Sequence, residues 1–127
     1  MAKEYLEKLS IFIDMVAATC AEETSLECRH FFSGAALYVN NKICTTLTPG
    51  GLAIKLPEST RTNLFRNNQA IPLRYFSGGP VKKEYALFSQ GIDNVDDDLI
   101  AYVKQGIDHV LRMPQSKPAE KQVAEHL

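Results

Sequence analysis

Apolar side chains recur at helical spacing near both ends of the 127-residue chain. Residues 3–20 carry them at positions i, i+4, i+7 and i+11, the pattern of an amphipathic helix. Near the other end, Asp96 to Asp98 supply an N-cap and an acidic first turn, and a second stripe follows and stops before Pro114. The two stripes consist of Tyr5, Leu9, Phe12 and Val16 and of Leu99, Val103, Ile107 and Val110. They predict an N-terminal helix over 3–20 and a C-terminal helix that ends near Arg112.

From about residue 27 the pattern changes to the alternation of β-strands. Residues 36–39 and 42–48 flank Asn40-Asn41, and asparagine tolerates positive φ, so this pair predicts a tight hairpin turn. In the second of these strands we expect Ile43, Thr45 and Leu47 to share one face. Gly34 predicts a bend, a bulge or the close approach of another element.

Further alternation and punctuation organise the middle of the chain. Residues 52–56 alternate Leu52, Ile54 and Leu56 with Ala53 and Lys55, which predicts a half-buried strand. Pro57 fits the first turn of a helix. We therefore expect a short helix over 57–66 that buries Leu64 and Phe65, then strands over 72–76 and 85–88 around a loop at 78–80.

The order of elements predicts an α+β fold. Consecutive strands joined by short turns favour an antiparallel β-meander, with the N- and C-terminal helices packed on it. Residues 1–113 then form a single domain. Residues 114–127 are polar and contain Pro118, so we interpret them as a tail that is flexible or forms a short helix.

Composition narrows the class of protein. Apolar residues make up 45% of the chain and charged residues 23%, with a net charge of −1, which is ordinary for a soluble domain and gives no strong nucleic-acid signature. No stretch approaches the roughly 20 apolar residues of a membrane span, and the N-terminus lacks the pattern of a secretory signal. Cys20, Cys28 and Cys44 form an odd set, which fits a reducing cytoplasm. We therefore expect a cytoplasmic protein that does not enter a membrane.

Metal binding and catalysis find weak support in the sequence. Cys28 and His30 would share one strand face and Cys44 could approach them, but structural zinc usually takes four ligands and the chain lacks CxxC or HxxxH spacing. Ser33 and Ser77 do not lie in a GxSxG motif. His109 lies near a helix end, where a cation is favourable, and His126 lies in the tail. We predict no metal, no cofactor and no enzyme, and leave a small thiol enzyme using Cys28 or Cys44 as a lesser alternative.

Charge is divided unevenly along the chain. Residues 55–83 carry six cations against Glu58 alone, whereas residues 84–109 carry six carboxylates against Lys104 alone. The basic segment could bind nucleic acid or an acidic partner. Alternatively, the two segments are solvated faces that partly neutralise each other, which we favour because no nucleic-acid motif accompanies the cations. The candidate partner or nucleic-acid surface consists of Lys55, Arg61, Arg66, Arg74, Lys82 and Lys83.

Three blocks of sequence resemble the N-terminal domain of the TfoX/Sxy family, bacterial regulators of competence for DNA uptake. The first, residues 29–39 followed by Asn40-Asn41-Lys42, is similar to the family's Arg-x-Met-Phe-Gly-Gly-x-Gly-x-Tyr, a turn and then Lys. Ser33 and Ala36 stand where the family usually has glycine. The other blocks are 52–57 and 74–85, and the resemblance covers roughly residues 5–112.

The resemblance implies a bacterial regulatory module that stands alone, without the second domain of full-length members. It would act in transformation or transcription control by binding a protein partner, through an exposed sheet edge or the basic segment, with a homodimer as one form. It carries no catalytic residues over to this chain. Direct nucleic-acid binding through the basic segment is the alternative, and this is not favoured.

Overall fold

The computed structural model describes residues 2–18, 24–31, 33–74, 78–92 and 96–113. In this part of the chain, three helices and six strands form one α+β unit, which confirms the predicted fold class. The elements are α1 (Ala2–Ala17), β1 (Leu26–Phe31), β2 (Gly34–Val39), β3 (Lys42–Thr48), β4 (Gly51–Lys55), α2 (Glu58–Arg66), β5 (Ile71–Leu73), β6 (Lys82–Phe88) and α3 (Asp97–Arg112).

The six strands form a single antiparallel sheet in the order β1-β2-β3-β4-β6-β5. The first four strands are the predicted meander, each paired with the next along the chain. After β4 the chain leaves the sheet to form α2. It returns as β5 at the far edge, and β6 then fills the position between β5 and β4. The two outer strands of the sheet are therefore β1 and β5.

The Asn40-Asn41 turn is confirmed as the β2–β3 hairpin connection. Both residues have positive φ, 49° for Asn40 and 70° for Asn41. A two-residue turn with both φ values positive matches the twist of the strands it joins. Asparagine adopts this conformation at little cost, which is why this dipeptide can connect the two strands.

A bulge at Cys44 interrupts the regular alternation of β3. Leu37 stands opposite Thr45 and the next residue, Tyr38, stands opposite Ile43, so Cys44 is an extra residue in the ladder. The prediction that Ile43 shares a face with Thr45 and Leu47 is wrong for this reason. Alternation along a single strand cannot reveal a bulge, because the partner strand decides where the extra residue lies.

The main core lies between the sheet and the two long helices. The α1 helix packs on β1 and β2, and α3 packs on β3 and β4. Leu9, Phe12 and Val16 of the first predicted stripe are at most 2% exposed, and all four members of the second stripe are at most 4% exposed. Burying each such side chain contributes roughly 1.5–3 kcal/mol. The helices therefore lie on the sheet as their periodicity predicts.

The ends of the helices follow the local sequence. The Asp96 carboxylate accepts a hydrogen bond from the Leu99 amide at 2.9 Å, so it is the N-cap of α3, as predicted. That helix ends at Arg112. The α1 helix ends at Ala17 instead of residue 20. The short helix is confirmed, with Leu64 1% exposed and Phe65 partly buried against the core.

The opposite face of the sheet has a smaller apolar cluster near β5. It consists of Ala53, Leu73, Tyr85 and Leu87. Ala53 is only 1% exposed, so β4 is buried on both faces at this point and the prediction of a half-buried strand is wrong there. A single alanine between larger residues carries too little apolar signal to show that its face is covered.

Two glycines allow close packing between elements. A Cβ at Gly34 would clash with the carbonyl oxygen of Leu47, which confirms close approach among its predicted roles. A Cβ at Gly106 would lie 2.7 Å from Ile54 Cγ2 and 2.9 Å from the Lys55 carbonyl oxygen. The missing side chain therefore lets α3 sit directly on β4.

The remaining sequence predictions concern element bounds and the tail. The β5 strand ends at Leu73, β6 begins at Lys82, and residues 78–80 form the expected loop. Residues 75–77, Cys20 and the predicted tail 114–127 lie outside the described residues. None of the helices in the described ranges combines the length and apolar character needed to cross a membrane.

Candidate functional site

The two edges of the sheet differ in length and in sequence. The β5 edge is three residues long, and its central residue, Pro72, has no backbone N–H to offer a further strand. The β1 edge is six residues long and contains no proline. Among the described residues, no strand pairs with the outer side of β1. A strand of this length with unpaired backbone groups is a template for pairing with another chain.

The register of β1 identifies which backbone groups face outward. Just before the strand, the Asn40 amide donates to the Ser25 carbonyl at 2.9 Å, and the Ser25 amide donates to Asn40 Oδ1 at 2.9 Å. These two residues continue the β1–β2 register, in which Leu26 stands opposite Val39. Hydrogen-bonded and non-hydrogen-bonded pairs alternate along an antiparallel ladder. It follows that Leu26, Cys28 and His30 direct their N–H and C=O groups away from β2.

Two opposite charges lie between these outward-facing residues. The guanidinium of Arg29 lies 2.8 Å from the Glu27 carboxylate and 4.5 Å from the centroid of the Tyr38 ring, and it donates to Asn41 Oδ1 at 3.2 Å. The hydrogen bond from Arg29 lowers the pKa of Glu27, and the same contact raises the pKa of Arg29. Both side chains are exposed to solvent, so the pair orders the charges of this edge more than it stabilises the fold.

The two described thiols are not set up as nucleophiles. Burial raises the pKa of the half-buried Cys28 thiol, with a hydrogen bond to Ser10 acting in the opposite direction. Burial raises the pKa of Cys44 to about 11, although Thr45 Oγ1 donates to its sulfur at 3.4 Å. A thiol enzyme needs the thiolate near neutral pH, which requires a lowered pKa. Neither environment provides it.

The described residues do not assemble a metal site. They contain no group of three or more His, Cys, Asp or Glu residues placed to hold an ion. Cys28 packs against α1 beside Ser10, whereas Cys44 lies under α3 near Gly106. His30 is exposed on the edge strand. The structure therefore does not bring Cys28, His30 and Cys44 together as a ligand set.

The other polar candidates are separated from one another. Ser33 lies exposed in the turn between β1 and β2, and Ser77 and His126 fall outside the described residues. His109 lies on α3 and is partly buried. Burial lowers the pKa of His109, and the positive charge of Arg61 adds to this effect. The negative charge of Glu84 acts in the opposite direction without reversing this shift.

Part of the predicted basic surface is neutralised within the fold. Lys55 Nζ lies 3.6 Å from a carboxylate oxygen of Glu84 and 5.5 Å from the centroid of the Tyr85 ring. The Lys55 side chain is only 13% exposed. This pair joins the basic segment 55–83 to the acidic segment 84–109, in the manner of two faces that partly neutralise each other.

Two arginines of the basic segment bind backbone carbonyls. Arg61 donates through Nε to the Leu56 carbonyl at 2.9 Å and through a terminal nitrogen to the Lys83 carbonyl. Arg74 donates to the Gly79 carbonyl at 3.2 Å. Arg66, Lys82 and Lys83 have exposed side chains at the end of α2 and the start of β6. The six cations therefore do not form one row of side chains directed at solvent.

A polar cleft of about 270 Å³ lies where α2, β6 and α3 meet, and the sequence did not indicate it. Its lining combines carboxylates, carboxamides and a Phe–Tyr pair: Asn68, Gln69, Phe88, Gln90, Asp96, Asp98, Leu99 and Tyr102. Ligand pockets are typically larger and mostly apolar. One of its two carboxylates, Asp96, is already engaged as the helix cap. The β1 edge is thus the better-defined candidate site.

Neither the protein-family models nor the curated proteins give a match to this chain.

Proposed function

We propose that this chain is a non-enzymatic regulatory module that binds a protein partner along β1. The three sequence blocks that resemble the TfoX/Sxy N-terminal domain support a role in bacterial DNA uptake or its transcriptional control. The observation that carries the interaction mode is the β1 edge, a six-residue outer strand whose alternate backbone groups have no partner strand among the described residues. Adding a strand to such an edge gives affinity through main-chain hydrogen bonds.

Direct nucleic-acid binding remains the alternative, and the geometry favours it less. Lys55 pairs with the Glu84 carboxylate, and the guanidinium groups of Arg61 and Arg74 donate to backbone carbonyls, which leaves fewer of their N–H groups for phosphates. Binding through the exposed cations Arg66, Lys82 and Lys83 would weaken steeply as salt rises, because each neutralised phosphate releases counterions. Fluorescence anisotropy with single- and double-stranded DNA at low salt separates the two functions. Tight binding that is lost in an Arg66→Ala, Lys82→Ala, Lys83→Ala variant would favour nucleic acid.

The role in DNA uptake is tested in a naturally transformable bacterium that carries this gene. Deleting the gene should lower transformation frequency, and the wild-type gene supplied in trans should restore it. An unchanged frequency in the deletion strain would contradict a role in competence.

The interaction mode is tested with a matched pair of variants at one exposed position. His30→Pro removes an outward-facing N–H without taking a hydrogen bond from the β1–β2 ladder, whereas His30→Ala keeps that N–H. We expect His30→Ala to restore transformation and His30→Pro to fail, with both proteins equally stable to urea. Equal restoration by the two variants would mean that the β1 backbone is not the binding surface.

A further inference from the structure

We propose that the occupant of the β1 edge is a second copy of this chain. The two β1 strands pair antiparallel about a twofold axis at Cys28, so that Glu27 faces Arg29 of the partner subunit. This inference rests on the proposed function for the identity of the binding surface, and it adds the partner and the register.

The register follows from the direction of the backbone groups. Only the outward-facing residues Leu26, Cys28 and His30 can form hydrogen bonds with an added strand. Antiparallel pairing about a twofold axis within this set can place Cys28 opposite itself and Leu26 opposite His30 of the partner subunit. Glu27 and Arg29 then occupy the non-hydrogen-bonded positions, where facing side chains come closest.

Charge complementarity selects this register over its neighbours. A twofold axis at Cys28 places Glu27 opposite Arg29 of the partner subunit and, by symmetry, Arg29 opposite Glu27 of the partner subunit. The nearest registers have the axis at Glu27, which places Glu27 opposite itself, or at Arg29, which places Arg29 opposite itself. An axis at Leu26 would place Glu27 opposite Ser25, and an axis at His30 would place Arg29 opposite Phe31. Shifting the register in either direction therefore loses both charge pairs. The sequence Glu-Cys-Arg is self-complementary only about its central residue.

Contacts within the chain order the charges of this edge. Arg29 is held between the Glu27 carboxylate, the Tyr38 ring and Asn41, so its guanidinium stays over the outer strands of the sheet. Joining two copies would create an alternating square of four charges across the axis. The interface is isologous, so it closes after two copies. The other edge, with Pro72 at its centre, is poorly suited to extend the assembly into a longer sheet.

The test uses charge reversal with a compensating swap, measured by sedimentation equilibrium at low salt over a range of protein concentrations. We expect the wild type to dimerise. Glu27→Arg alone and Arg29→Glu alone each place like charges opposite each other twice and should weaken the dimer by about tenfold. The double variant Glu27→Arg, Arg29→Glu restores opposite charges in the same register and should recover most of the affinity. A wild type that is monomeric at all concentrations, or a double variant weaker than either single one, overturns the proposal.

Hydrogen exchange locates the interface independently of the charges. As protein concentration rises, the amides of Leu26, Cys28 and His30 should gain protection, while those of Glu27 and Arg29 are already protected by β2. Protection that appears elsewhere and not at these three amides contradicts a β1–β1 dimer.

The two proposals can fail separately. A monomeric protein whose role in transformation is lost in His30→Pro but kept in His30→Ala would overturn the second copy as occupant and leave the proposed function standing. A dimer that follows the charge swap, in a strain whose transformation does not depend on the gene, would support the inference and overturn the regulatory role.

Discussion

The two edges of this sheet end in opposite ways. At β5 the strand is short, Pro72 removes its central N–H, and Leu73 joins the apolar cluster formed with Tyr85 and Leu87. At β1 the strand is twice as long, and its outward backbone groups lie between exposed charges. Proteins commonly protect sheet edges by shortness, proline or charge. The β5 edge is protected by shortness and proline, whereas the self-complementary charges of β1 are the basis of the pairing proposed above.

The β5 edge is supported by α2, the helix that precedes it. Removing the buried Leu64 side chain of α2 should give the largest loss of stability among these variants. Leu64 of α2 is 1% exposed, and its carbonyl accepts the amides of Gln69 and Ala70 just before β5. We expect Leu64→Ala to lower the free energy of unfolding by about 2–5 kcal/mol, because it leaves a cavity in the core. Urea unfolding measures this loss.

The matched control for Leu64 is an apolar residue on the same edge. Ile71 of β5 is 51% exposed, so Ile71→Ala should cost much less than Leu64→Ala. Equal losses for the two variants would show that α2 does not hold this edge.

The two described cysteines, Cys44 in the interior and Cys28 on the β1 edge, should contribute differently to the pH dependence of stability. Burial raises the pKa of Cys44 to about 11, whereas an unfolded thiol ionises near pH 9. Between these values the unfolded state loses protons that the folded state keeps, so stability falls as pH rises. Cys44 should contribute a loss of roughly 2–3 kcal/mol by pH 11. Urea unfolding at several pH values should show the gap between wild type and Cys44→Ala narrowing upward from pH 9.

Cys28 provides the matched comparison for Cys44. It lies in β1 and is only half-buried, so Cys28→Ala should change the pH dependence less than Cys44→Ala does. Cys28 should also react with a maleimide faster than Cys44 in the folded protein. Equal pH dependence and equal labelling rates would mean that the β1 edge is as closed as the centre of the sheet.

Arg61 fastens α2 to β6, the neighbour of β5. It donates to the carbonyls of Leu56 and Lys83, and its loss leaves both without this donor. We expect Arg61→Ala to lower the free energy of unfolding by about 1–3 kcal/mol. Arg61→Lys should recover little, because an ammonium cannot reproduce the two-sided geometry of the guanidinium. Arg66→Ala, at the exposed end of α2, is the control, and a wild-type stability for Arg61→Lys would contradict the hydrogen-bonding role.

The smallest effect on stability is expected for the exposed charges of the β1 edge, Glu27 and Arg29. Glu27→Ala and Arg29→Ala remove an exposed ion pair and should leave the unfolding of dilute, monomeric protein unchanged. The same substitutions should weaken self-association at low salt. Thermal unfolding below the dimerisation concentration checks the first expectation. A clear loss of stability there would show that the pair supports the fold and not the interface.

Local sequence predicted the elements whose cause is local. The stripes of α1 and α3, the Asp96 cap and the Asn40-Asn41 turn depend on residues within a few positions of each other. The Cys44 bulge and the insertion of β6 between β4 and β5 depend on pairing between distant segments, which periodicity along one strand does not record. The burial of Ala53 also escapes prediction, because a single alanine between larger residues carries too little apolar signal.

The candidate site was only partly readable from the sequence. The sequence named an exposed sheet edge and the basic segment as binding surfaces, without assigning residues to the edge. The sequence favoured partial neutralisation between the basic and acidic segments but could not assign the pairs, because Lys55 and Glu84, like Arg61 and Lys83, lie more than twenty positions apart along the chain. The self-complementary charges of Glu27-Cys28-Arg29 are visible in the sequence. They indicate a pairing surface only once the structure shows that β1 is an outer strand.

The hairpin between β2 and β3 has a consequence for a strand to which it does not belong. Glycine would suit the positive φ of Asn40 and Asn41 as well, but it would carry no amide. Here the side-chain oxygen of Asn40 accepts a hydrogen bond from the Ser25 amide, and that of Asn41 accepts one from Arg29. The side chains of the turn thus add one hydrogen bond just before β1 and one to its Arg29. An Asn→Gly exchange at either position would suit the hairpin and keep the backbone hydrogen bond to Ser25, but it would remove the corresponding side-chain hydrogen bond to β1 or its start.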